Sequence, residues 1–100
     1  MEITTSVRNG NTLIIQVGEK FDFGKVEAFR NAYLDLSADI THIVVDLGRT
    51  DYMDSSALGM LLNMQKALAK RDIKYSIEKA RPQVDRILKI SRFDKKFEIK

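Results

Sequence analysis

The side chains of this 100-residue chain that could do chemistry gather between Thr50 and Leu62, in the stretch TDYMDSSALGMLL. Two carboxylates, Asp51 and Asp54, stand beside two hydroxyls, Ser55 and Ser56. Apolar residues at helical spacing follow. A serine nucleophile needs a base within hydrogen-bond reach. The one histidine, His42, sits at the start of a predicted core strand and reads as structural. Asp51 and Asp54 lack a histidine pair, a cysteine or calcium-loop spacing, so no metal site is expected. Gly10, Gly18, Gly24, Gly48 and Gly59 match neither a dinucleotide nor a Walker pattern. The expectation is a non-enzyme without cofactor.

Two readings of the serines remain. In one, Asp54 or Ser55 caps a helix by accepting from a free backbone N–H, a contribution of about 1 kcal/mol. In the other, a hydroxyl is held out for modification or binding. A capping box would place Glu or Gln three residues after the cap, but Ala57 and Leu58 stand there. The first turn, Ser55 to Leu58, holds no carboxylate of its own to meet the positive end of the helix dipole. Local physics favours the capping reading.

The surrounding elements must position these groups. EITTSVR (2–8) and TLIIQVG (12–18) read as strands joined by the turn signal NGN. Leu13, Ile15 and Val17 share a face, and residues 19–24 read as a loop. From Lys25 the period changes, and Val26, Phe29, Tyr33 and Leu36 form one helical stripe. THIVVDL (41–47) is an apolar run suited to a strand buried on both faces. A helix is predicted from Ser55 to Arg71 on the stripe Ala57, Met60, Leu61, Met64 and Leu68, widened by Leu58 and Leu62. Lys66, Lys70 and Arg71 would occupy its last turn. IKYSIEK (73–79) alternates, with Ile73, Tyr75 and Ile77 inward and Lys74, Ser76 and Glu78 outward. Pro82 opens a third helix on which Val84, Ile87, Leu88 and Ser91 share a face. KFEIK (96–100) closes as an edge strand. The order β-β-α-β-α-β-α-β predicts one α/β domain over residues 1–100: a mixed, mainly parallel sheet with helices covering one face.

Composition sets bounds. Hydrophobic residues make up 44% and charged residues 31%, as in a globular fold. The absence of cysteine excludes disulfides and thiolate chemistry and suits a reducing cytoplasm. The N-terminal residues lack the features of a signal peptide, and no apolar run is long enough to span a membrane. The net charge of +3 is uneven, because residues 81–100 hold seven Lys and Arg against three Asp and Glu. With only Phe93 and Phe97 interleaved and no recognised motif, this segment reads as a solvated face, and no nucleic-acid partner is expected.

YMDSSALGMLL after the strand HIVVDL resembles the STAS domain of bacterial anti-sigma factor antagonists. There a strand ends in Asp-Ser-(Ser/Thr)-Gly-Leu-Gly and a helix begins at the serine. The likeness extends to the initial hairpin, the segment GEKFD (18–22), the three helices and the length. It implies the STAS fold and a partner switch. The serine after the Asp, Ser55, would be phosphorylated by a GHKL-type serine kinase that is also the anti-sigma factor, and Ser56 is the alternative. Phosphorylation would release the domain, and a PP2C-type phosphatase would restore it. ATP would belong to the kinase. Asp22 matches a loop acid near the serine in the fold, and Ala57 stands where glycine is commonest. The implied partner-binding set is Asp22, Asp54, Ser56, Ala57 and Met60. Homodimerisation stays open, and membrane insertion is not expected. A second function consistent with the resemblance is a STAS subunit of an ABC-type lipid transporter complex that binds its ATPase.

Overall fold

The computed structural model describes residues 3–100. Glu2, where the expected first strand begins, lies outside the described residues. Strands β1 (Thr4–Arg8) and β2 (Thr12–Gln16) form the expected hairpin, with Arg8 opposite Thr12. Its turn places Asn9 and Gly10 at φ of 58° and 75°, the left-handed region that these two residue types enter at least cost. Strand β3 (Lys20–Phe21) and a 3-10 turn (Phe23–Lys25) lead into helix α1 (Val26–Leu34). Strand β4 (His42–Asp46), strand β5 (Tyr52–Met53) and helix α2 (Ser55–Ala67) follow. Strand β6 (Lys74–Glu78), helix α3 (Pro82–Ile90) and strand β7 (Glu98–Ile99) complete the order.

The main sheet runs β1-β2-β4-β6-β7. Only the hairpin is antiparallel, so the sheet is mixed and mainly parallel. Register aligns Leu13 with Ile43 and Tyr75, and Ile15 with Val45, Ile77 and Ile99. Leu13, Ile15, Ile43, Val45 and Ile77 pack into one core with Phe29, Leu61, Met64, Val84 and Leu88 from the three helices. The helices therefore cover that face. On the other face Val44 lies between Ile14 and Ser76 and is still buried. Ile43 through Leu47 are all buried, as expected for the central strand.

Several sequence expectations need correction. The predicted loop 19–24 contains β3, and β5 also went unpredicted. Ser76, expected in solvent, is fully buried, with its hydroxyl 2.7 Å from Nε2 of His42. Burial first, then the Lys100 charge, holds the His42 pKa below its ordinary value of 6.5. Ser91 is exposed as the C-cap of α3. Phe93 and Phe97 are core residues stacked at 5.9 Å and cannot stack on bases.

Helix α2 ends at Ala67, so of the three expected last-turn cations only Lys66 lies there. Arg71 has another role. Its guanidinium donates to the carbonyls of Leu36, Ser37 and Ile40 at 3.0, 2.6 and 3.1 Å. This binds the segment after α2 to the loop after α1. Arg71→Ala is expected to cost about 1–3 kcal/mol, the usual range for losing a charged donor from paired carbonyls. Arg71→Lys should recover only part of that, since an ammonium lacks the planar fork. Urea denaturation of the three proteins measures both differences.

Candidate functional site

Ser55 is positioned by a parallel ribbon of two residues per strand. Lys20 pairs with Tyr52 and Phe21 with Met53. Phe21 and Met53 are buried, while Lys20 and Tyr52 face solvent. Buried Thr50 fixes the entry to β5, its hydroxyl donating to the carbonyls of Gly18 (2.8 Å) and Val17 (3.3 Å). The amides of Asp51 and Tyr52 both donate to the Glu19 carbonyl. Arg81 ties the same loop down from the far side, through Nε to the Gly48 carbonyl at 3.0 Å and an ion pair with Asp51.

One residue past each strand stands an aspartate, and the two share almost the same extended backbone. Asp22 has φ −133° and ψ −174°, and Asp54 has φ −128° and ψ −172°. Each caps the turn that follows. Oδ1 of Asp22 accepts from the Gly24 amide at 3.0 Å. Oδ1 of Asp54 accepts from the amides of Ser56 (3.0 Å) and Ala57 (3.4 Å). The two carboxylates thus leave parallel neighbouring strands side by side, and Asp22 is brought to the site.

The cap of α2 is therefore Asp54, and the serines are not needed for it. Ser55, the first helical residue, is exposed, and Ser56 is half-buried. Among the described residues no hydrogen bond engages either hydroxyl. Ala57 is fully buried and Met60 is 6% exposed. Both turn inward, Met60 toward a cleft between α1 and α2 that also takes Phe29 and Tyr33. Of the anticipated contact set, the outer surface holds Asp22, Asp54 and Ser56.

Among the described residues no histidine stands beside Ser55, and the Oδ1 of the adjacent Asp54 is engaged as the helix cap. His42 opens β4 at the end opposite the loop that leads to Ser55, and its ring is engaged by Ser76. Among the described residues no three His, Cys, Asp or Glu side chains converge on one point. The arrangement leaves an exposed hydroxyl at a helix N-terminus.

Sequence reasoning missed the β3–β5 ribbon, Thr50 and the exposed ring of Phe23. A signal for the ribbon was present: Lys-Phe-Asp at 20–22 and Tyr-Met-Asp at 52–54 repeat the order polar or amphipathic, apolar, Asp.

The sequence profile of the STAS domain family matches residues 3–100. A STAS-domain containing protein of Pseudomonas aeruginosa (strain UCBPP-PA14) is 40% identical over 91% of this chain and 90% of its own. The crystal structure of an anti-sigma factor antagonist from Mycobacterium paratuberculosis superposes with a TM-score of 0.80 at 21% identity, covering 97% of this chain and 82% of that one. The Bacillus cell fate determinant SpoIIAA in its phosphorylated form superposes with a TM-score of 0.72 at 18% identity, covering 98% and 90%. Hairpin, mainly parallel sheet and profile agree: the chain belongs to the STAS domain family.

Proposed function

We propose that this domain is an anti-sigma factor antagonist of a partner switch in the cytoplasm, with Ser55 as its phosphoacceptor. Unphosphorylated, it binds a GHKL-type serine kinase that doubles as the anti-sigma factor. In the transfer, Oγ of Ser55 bonds to the γ-phosphorus of ATP held by the kinase. ADP leaves, and the hydroxyl proton passes to a base of the kinase. A PP2C-type phosphatase hydrolyses the phosphoserine and resets the domain. The solved relatives support this reading in kind: one is an anti-sigma factor antagonist, and another was solved phosphorylated.

The observation that carries the reading is the unengaged, exposed Ser55 hydroxyl directly after a cap already filled by Asp54. Modification there does not undo the cap. A phosphoserine adds about −1.5 to −2 charge. The helix N-terminus favours that charge, and the neighbouring carboxylates of Asp54 and Asp22 oppose it. With these effects opposed, the fold survives while the docking surface gains a large further negative charge. Mass spectrometry of the domain after incubation with the kinase and ATP should place phosphate on Ser55. Phosphate on neither Ser55 nor Ser56 would sink the proposal.

A further inference from the structure

We infer that Phe23 is the apolar anchor by which the kinase grips this domain beside Ser55, a reading that rests on the proposed phosphoacceptor role. Phe23 follows Asp22 as Ser55 follows Asp54, and the two caps share one backbone conformation on adjacent strands. The paired residues Phe21 and Met53 lie at the parallel-strand spacing of roughly 4.8 Å, and Phe23 and Ser55 each follow two residues later. A kinase that brings a γ-phosphate to Ser55 therefore covers the ring of Phe23 as well.

That ring is 75% exposed. A lone exposed hydrophobic residue is ordinary on a protein surface, but this one stands on a capped turn and is accompanied. Asp22 closes the turn around it, and a Cβ on Gly24 would lie 3.3 Å from the capping oxygen of Asp22, so the glycine leaves the cap room to close. Tyr52, 50% exposed, lies on the same ribbon. The other large exposed apolar side chains among the described residues, Val7, Leu34 and Ile90, lie on β1, α1 and α3. An aromatic side chain has only two rotatable bonds to fix on binding and contributes strongly when it enters a pocket. The partner accordingly presents an apolar pocket next to its phosphoryl-transfer site. The same contact explains release. A phosphate on Ser55 would have to be buried beside that pocket, where a charge without a partner is costly.

The test uses the full chain with the GHKL-type kinase, reading the binding constant by calorimetry and Ser55 phosphorylation by steady-state kinetics. Phe23→Ala should raise Kd and KM about 30-fold and leave kcat within about twofold. Its thermal unfolding should match wild type, because the ring contributes little to the core. Phe23→Leu should recover most of the loss. A Phe23→Ala protein that binds within about threefold of wild type, while Ser55→Asp still weakens binding, overturns the anchor and leaves the switch standing. A fall in kcat at unchanged KM also overturns it, since an anchor acts on binding. A wild-type domain that neither binds the kinase nor gains phosphate overturns the switch and the anchor together.

Discussion

Ser55→Asp is expected to weaken binding to the kinase by a few hundredfold to about a thousandfold, while Ser55→Ala stays close to wild type. The difference lies in what each side chain brings to a closed interface. Alanine removes a hydroxyl that makes no hydrogen bond among the described residues. Aspartate places a fixed negative charge where a neutral group had docked, and a charge held against an unmatched surface costs about 3–4 kcal/mol. The fold contributes almost nothing to that loss. The cap is on Asp54, whose carboxylate already accepts from the amides of Ser56 and Ala57. An acid at the first helical position gains about 0.3–1 kcal/mol from the helix dipole, and repulsion from Asp54 offsets part of it. Thermal melting should therefore barely move while calorimetric affinity collapses. Equal affinity for the two variants would refute the switch. Ser56→Asp is the control for the neighbouring hydroxyl. That side chain is half-buried, so its replacement should lower stability as well as binding.

The sequence made much of this legible, and where it fell short the reasons are physical. Phe29 and Tyr33 announce α1, and the run Ile43 to Leu47 announces a strand buried on both sides, because periodicity over several turns or residues reports burial directly. Two-residue strands have no periodicity, so β3 and β5 were invisible as strands. The choice between Asp54 and Ser55 as the cap had the same origin. Both are good capping residues, and spacing ranks neither. The ribbon decides it. With Met53 paired to Phe21, the chain is still extended at Asp54, which makes Asp54 the last non-helical residue. Arg71 continued a plausible helix until its acceptors came into play, three carbonyls more than thirty residues away in sequence. Ser76 alternates as an outward residue should, yet its register neighbours on a central strand close over it. In each case a contact distant in sequence overrode a correct local preference. Asp22 was brought into the picture by family resemblance, and the register of β3 with β5 sets it one residue past Phe21 as Asp54 is one residue past Met53.

Phe21→Ala is expected to destabilise the domain by about 3–5 kcal/mol, the range for deleting a fully buried aromatic ring and leaving its cavity. Phe21 is fully buried, and its ring meets that of Phe29 at 5.2 Å, which in turn meets Tyr33 at 5.9 Å. Domains of this kind hold about 5–15 kcal/mol in all, so the variant should sit near the edge of stability. The urea midpoint should fall with little change in slope. Phe21→Leu, which keeps most of the volume, should cost far less. The consequence for function follows from the length of β3. A strand of two residues has too few ladder hydrogen bonds to hold itself in place, so the buried ring positions it, and the next residue is the cap Asp22. Loss of the ring should therefore loosen the turn that carries Phe23 before it loosens α2, whose cap stands on its own strand. Amide exchange can read that order: the Gly24 amide, bonded to Asp22, should lose more protection than the Ser56 amide, bonded to Asp54. Equal loss at both amides would mean that the ribbon opens as one unit, and a stability cost below about 1 kcal/mol would mean that the ring does not hold the strand.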